Sequence, residues 1–372
     1  MAGVKVRFAG RDATLFIEEV KKRVHEYFRE ANLSSKADPR MVIKTIILIG
    51  LTFGSYALIL SNQFTAWQML GFAVTMGVGM AGIGFSVAHD ALHGAYSSNP
   101  RVNKLLGYTF DLLGANGYIW KITHNVIHHT YTNIPGIDED LAVSPLIRLS
   151  PDAPLKRYHR FQHWFALFAY SFATLNWLFV KDFKCFLMRD IGPYTNKRHP
   201  RSEIVNLIWT KIFVVCYMIV LPLLILDIAW WQFLIGFLAA HLTAGAILGI
   251  IFQLAHVVEG PEFPVPDEKG VIESAWLIHE MATTANFAGS NRLLSWYIGG
   301  LNYQIEHHLF PQVCSIHYPE VSRIVREVAS KYQVPYNYHP TLRAAIGSHL
   351  RMLKQLGHPV SVPQTDYAVV DG

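Results

Sequence analysis

The chain has 372 residues, 51% hydrophobic and only 16% charged, with 32 Lys and Arg, 27 Asp and Glu and a formal net charge of +5. Soluble domains carry about 25% charged residues, so the composition excludes an ordinary soluble protein and points to a membrane protein with no nucleic-acid partner. Three scattered cysteines (Cys185, Cys216, Cys314) argue against a disulfide framework and against a thiolate metal site.

The N-terminal text has no apolar run followed by a small-residue cleavage site, so no signal peptide is expected. Residues 1–40 read as an amphipathic cytoplasmic segment. Within it, Leu15, Phe16, Val20, Val24, Tyr27 and Phe28 recur at helical spacing over 13–32. That stripe predicts a helix packed on the rest of the fold, in preference to one lying on the membrane.

Four segments are long enough to cross a bilayer, at about 20 apolar residues each: 42–61, 65–87, 204–226 and 231–254. Short links free of Lys and Arg, Ser61–Phe64 and Asp227–Trp230, join them into two hairpins. All but two of the 32 basic residues lie outside the spans and links; the exceptions are Lys44 and Lys211. The positive-inside tendency therefore puts the N-terminal region, the stretch 88–203 and the region from 255 on the cytoplasmic side. Phe161–Val180 is also charge-free. If it crossed, the polar regions on either side of it would face opposite compartments, so a helix lying in the membrane interface is expected over about 161–180. The predicted fold is all-α: four transmembrane helices as two hairpins, with a cytoplasmic helical cap carrying a metal site. A single domain over 41–335 is expected, followed by a cytoplasmic tail, 336–372.

The 18 histidines are clustered. "HDALH" holds His89 and His93, "HNVIHH" holds His124, His128 and His129, and "QIEHH" holds His307 and His308. Residues four apart share a helix face, so His89/His93 and His124/His128 each form a pincer. An adjacent histidine points about 100° away and can reach a second ion. The predicted topology brings all three clusters, together with His256 at the end of the fourth span, to one face. Seven or eight imidazoles exceed the four ligands of a structural zinc site and favour two ions, while imidazole alone does not select among Zn, Cu, Fe and Ni. His241, inside the fourth span, is expected to be a hydrogen-bonded interior histidine, and His159 and His163 to anchor the interfacial segment.

These residues resemble the membrane fatty acid desaturase family. The matching text is "HDALHGAYS", "HNVIHHTYTNIPGIDEDL", "FQLAHVVEG" and "GGLNYQIEHHLFPQVCSIHYPEV", and the likeness runs from about residue 40 to 335. The glutamine of the third box, Gln304, resembles the front-end subgroup, which desaturates between an existing double bond and the carboxyl end. The resemblance implies two iron ions and O₂ as co-substrate. It implies His89, His93, His124, His128, His129, His307 and His308 as ligands and His256 as a further one. Gln304 is then a weak ligand or a hydrogen-bond partner of a ligating imidazole. Asp90, Asp138, Asp140, Glu306 and His279 are candidates to orient or supplement the ligands.

The implied product is a cis double bond in an acyl-CoA or acyl-lipid chain, formed in the bacterial inner membrane or the endoplasmic reticulum. A hydroxylase or a sphingolipid desaturase would use the same centre. A histidine-lined metal transporter would need ligands along its spans, where His241 stands alone. The chain carries no "HPGG" haem motif, so electrons are expected from a separate ferredoxin or cytochrome, docked on the basic face.

Overall fold

The computed structural model describes residues 6–10, 14–141, 145–195 and 198–359. Among them, four helices have the length and apolarity to cross a bilayer: Pro39–Leu60, Ala66–Leu92, Arg201–Ile225 and Trp230–His256. The start of each helix in the first hairpin is written locally. The Asp38 carboxylate accepts from the amides of Arg40 and Met41, and Pro39 occupies a first-turn position where its missing N–H costs nothing. Thr65 and Gln68 cap each other reciprocally at the second span.

The second and fourth spans run past their expected ends at 87 and 254, reaching Leu92 and His256. Reading apolar runs stops a helix at its first polar residues. Here those residues are histidines covered by the cap, so the helix continues into it. The second span does so through a π-helical turn, Ile83–Ala88, in which the His89 amide donates to the Gly84 carbonyl five residues back.

Residues 161–180 form no helix of spanning length. The segment breaks at Ser171 and Phe172 into Gln162–Tyr170 and Ala173–Asn176, followed by a π-helical turn, Trp177–Lys181. Nine helical residues cover about 14 Å against a hydrocarbon core of about 30 Å. The segment lies against the fourth span, where Gly245 and Gly249 leave room for the backbone of Ser171 and for Tyr170. Thr174 Oγ1 donates to the His241 carbonyl and also meets His241 Nδ1 at 3.1 Å, so one ring nitrogen of His241 has a partner inside the bundle.

The cap is closed from outside by the N-terminal helix Thr14–Glu30. Its Phe16, Val20 and Val24 are buried against Ile305, Leu309 and the helix Tyr318–Lys331. Two short parallel strand pairs add to the helices: β1 (Arg7–Phe8) with β2 (Val271–Ile272), and β3 (Ala285–Phe287) with β4 (Asn337–His339). The chain beyond 335, expected as a tail, folds back into the body as β4 and the helix Leu342–Leu356. There the buried His349 joins the Val257 carbonyl (2.6 Å) to the Tyr170 hydroxyl (3.1 Å). Its scattered apolar residues gave no span-like signal, which is why it read as a tail. The expected tail residues 360–372 lie outside the described residues.

The two basic residues inside spans have buried partners. Lys211 Nζ donates to the carbonyls of Gly114 (2.6 Å) and Trp177 (2.9 Å) and to Asp182 Oδ2 (2.6 Å). Lys44 Nζ donates to Ser86 Oγ at 3.4 Å. The Lys211 contacts pin the third span to the segment after residue 110. Removing one partner of a buried pair strands the other charge, which costs about 3–5 kcal/mol, whereas replacing both by apolar groups is often neutral. Asp182→Ala is expected to lower the thermal melt of the micelle-solubilised protein strongly, and Lys211→Met with Asp182→Leu to recover most of the loss. An unshifted melt for Asp182→Ala would show that the pair does not hold the span.

Candidate metal centre

The structure brings the three boxes and His256 into one buried cluster. Ring nitrogens of His89, His93, His124 and His307 lie within 4.8 Å of one another, and so do those of His128, His256 and His308. His129 stands between the two groups, with ring centroids 4.8 Å from His93, 4.6 Å from His307 and 4.3 Å from His308. The first pincer is as expected: His89 and His93 share a group. His124 and His128 also stay paired, their rings stacked at 5.0 Å and both within reach of Asp140, while each also belongs to one of the two groups. Lys121–His128 is a π-helical stretch, with the His129 amide bonded to the His124 carbonyl at 3.0 Å.

On five of these histidines Nδ1 already has a partner. His124 Nδ1 meets Asp140 Oδ2 at 3.1 Å and His128 Nδ1 meets Asp138 Oδ2 at 3.0 Å. His256 Nδ1 meets the Thr283 carbonyl at 3.3 Å, His307 Nδ1 the Tyr318 hydroxyl at 3.0 Å, and His308 Nδ1 Glu280 Oε2 at 2.6 Å. With Nδ1–H donating to an acceptor, the Nε2 lone pair is free to bind a metal. The Nε2 atoms of His89, His93, His124, His129, His307 and His308 are buried without any hydrogen-bond partner. Buried polar atoms are normally satisfied. Six such orphans facing a common space fit metal ions as their partners.

Electrostatics agree. Burial first, then the neighbouring imidazoles, hold His93, His124, His129, His307 and His308 well below the usual histidine range. Neutral imidazole is the form that ligates. Burial also lowers His128, but the Asp138 carboxylate beside it prevails and pushes it up to about 9. Trp120 walls the cluster, stacked on His124 at 4.3 Å and edge-on to His89 and His93.

The expected acids divide. Asp138 and Asp140 orient His128 and His124. Asp90 lies 3.6 Å from His89 Nδ1, and its other oxygen accepts from the Ser315 amide (3.0 Å) and hydroxyl (2.9 Å), tying the first box to the loop after the third. Glu306 touches no histidine of the cluster: it accepts from Asn286 Nδ2 (2.6 Å) and the Tyr336 hydroxyl (2.9 Å), and burial pushes its carboxyl up to about 7. Its place beside two box histidines in sequence is misleading because adjacent helical residues face different ways. His279 packs on the Phe8 ring at 4.9 Å, outside both groups. Gln304 is buried at the first position of the helix Gln304–Leu309, one turn before His307 and His308.

Sequence reading missed three residues. Glu280, next to the favoured His279, holds His308 and accepts from Thr132 Oγ1 at 2.9 Å. Burial holds its carboxyl well above the usual range. An acid inside the apolar run "WLIHEMA" was the available signal. Tyr318, fully enclosed, holds His307. Asn133, at φ +56, donates from Nδ2 to the carbonyls of His256 (3.0 Å), Glu262 (3.1 Å) and Thr283 (3.2 Å), linking the second box to the end of the fourth span. Asparagine tolerates that left-handed backbone better than most residues.

Comparison with known proteins gives the cluster a context. The sequence profile of a family described as "Fatty acid desaturase" matches residues 65–340. The chain is 37% identical over 346 residues to the "sn-1 linoleoyl-lipid 6-desaturase" of Synechocystis sp., covering 92% of this chain and 95% of that protein. It is 35% identical over 344 residues to the protein of the same description from Arthrospira platensis, covering 92% of each. It is 33% identical over 354 residues to the "Acyl-lipid (8-3)-desaturase" of Physcomitrium patens, covering 95% of this chain and 74% of that protein.

Proposed function

The chain belongs to the fatty acid desaturase family, and on that premise we propose that it is a front-end acyl-lipid desaturase working at a two-iron centre. It is an oxidoreductase acting on fatty acyl chains and an integral membrane protein. The finer reading rests on one observation: two adjoining groups of buried histidines, with His129 between them, carry six Nε2 atoms that have no protein partner. His89, His93, His124 and His307 would hold one ion, and His128, His256 and His308 the other, with His129 between them. An acyl chain esterified to a membrane lipid is favoured over acyl-CoA because the similar proteins carry "linoleoyl-lipid" or "acyl-lipid" in their descriptions.

An unactivated methylene offers neither an acidic proton nor an electrophile, so bound iron with O₂ supplies the oxidising power that side chains lack. Two C–H bonds on adjacent carbons break and a C=C bond forms. One O₂, two electrons from a donor and two protons account for the two waters released. The protein's own part is positional. Asp138, Asp140, Glu280, Tyr318 and the Thr283 carbonyl fix five imidazoles through Nδ1 and leave their Nε2 atoms facing inward. Trp120 and the buried cap keep bulk water from the reacting carbons. The cluster is assigned to the cytoplasmic side from the distribution of Lys and Arg, where a separate ferredoxin or cytochrome delivers the electrons.

Expression in a host of known lipids, followed by double-bond mapping, tests the activity. New cis double bonds on the carboxyl side of existing ones are expected in esterified chains, with about two irons per chain in the purified protein. His307→Ala with His308→Ala should fold, bind less iron and form no product. Unchanged host lipids from iron-loaded protein supplied with a competent donor would contradict the reading.

Glu280 gives a sharper test. Glu280→Leu removes the 2.6 Å partner of His308 Nδ1 and leaves it only the longer contact to Thr132 Oγ1 at 3.3 Å, whereas Glu280→Gln keeps an oxygen there. The Leu variant is expected to lower iron affinity by about 10–100-fold, as loss of such an outer partner typically does, and the Gln variant to retain most of it. Equal iron retention by both would remove Glu280 from the site. Donor-coupled turnover should also fall with rising salt, because an acidic donor meeting a basic face is screened; salt-insensitive turnover would count against that docking.

A further inference from the structure

A cavity of about 280 Å³ opens between the two hairpins at the end opposite the histidines. Met76, Met218 and Ala240 line its deep end, and Trp67 and Trp231 its mouth. Trp231 to Ala240 is nine residues along the fourth span, so the cavity is about 14 Å deep. It lies wholly within the membrane-crossing helices and their links. No Asp, Glu, Lys, Arg or His lines it. Its two best-placed polar side chains are already engaged: the Tyr56 hydroxyl donates to the Tyr217 carbonyl, and Gln232 Oε1 accepts from the Ala229 amide at 2.9 Å. The rest of the lining is apolar apart from the Gln232 amide nitrogen and the two indoles, and ordered water needs two or more polar partners.

The cavity is walled off from the histidines. Gly77 presses so closely on the Ala240 carbonyl that a Cβ there would collide. Below that contact Leu48, Met80, Ile83 and Ala244 form a packed buried cluster. Ala240 precedes His256 by sixteen residues, about 24 Å along the helix. The chain being desaturated is therefore not the occupant. An apolar void of this size forfeits dispersion contacts around its whole lining, and in a bilayer the apolar molecule at its mouth is lipid. The exposed Trp67 and Trp231 suit the headgroup level at which indoles anchor.

We propose that this cavity is a structural lipid site, holding one acyl chain of a bilayer lipid from the leaflet opposite the metal centre and bracing the splayed ends of the hairpins. The site is separate from catalysis and does not depend on what the histidines bind.

Gly236 lines the cavity, and a side chain added there meets nothing within 4 Å, so Gly236→Phe puts a ring into the space without displacing a neighbour. Gly71 is equally open but does not line the cavity, so Gly71→Phe is the control. The full-length protein, reconstituted in nanodiscs of dioleoyl phosphatidylglycerol and released into mild detergent, is examined by native mass spectrometry, with thermal melts confirming that each variant is folded. Wild type and Gly71→Phe are expected to retain one lipid per chain. Gly236→Phe should lose it while keeping desaturase activity and product regiochemistry. Equal retention by all three proteins, or none by wild type, would overturn the proposal. So would a Gly236→Phe product with altered chain-length selectivity, which would make the occupant the substrate's own tail.

Discussion

Burying an imidazole removes water from both ring nitrogens, and each must then find another partner or cost the fold stability. Here seven box histidines and His256 crowd one space, and most of them spend Nδ1 on an acid, a hydroxyl or a carbonyl. Six of their Nε2 atoms have nothing from the protein to meet them. That deficit organises the cap. The elements around the cluster serve either to supply an acceptor for Nδ1 or to hold two distant segments at the separation the inward nitrogens require.

The second task falls to a few ties. Asp90 joins the end of the second span to the loop at Ser315. Asn133 collects three carbonyls from segments more than 120 residues further on. Lys211 binds the third span to the carbonyls of Gly114 and Trp177 and to Asp182. Each is a buried polar group with several directed bonds, and such groups fix an arrangement more sharply than apolar contact does. The apolar N-terminal helix then covers the third box from outside with Phe16, Val20 and Val24.

Much of this was legible in the sequence because it follows from local periodicity. Apolar run length located the four spans to within a few residues, and the two short links between them set their pairing. The amphipathic stripe at 13–32 correctly indicated a packed helix. Histidine spacing identified the cluster's members. Their division into two groups was hidden, because a π-helical turn has no apolar-pattern signature. Glu280, Tyr318 and Asn133 were hidden for another reason. Each acts on a histidine or carbonyl distant in sequence, and a single polar residue in an apolar context shows that it needs a partner without showing which. Glu306 failed in the opposite sense: chain proximity to His307 and His308 suggested a contact that helical geometry directs elsewhere.

The reach of the third box has a consequence for how the protein is made. His307 and His308 lie in the last fifth of the 372 residues, while the first pair, His89 and His93, lies in the first quarter. Both hairpins have entered the bilayer before the final imidazoles leave the ribosome. On the proposed reading neither ligand group is complete until the third box is translated, and a nascent chain stalled before residue 307 would be membrane-inserted with each group short of a member.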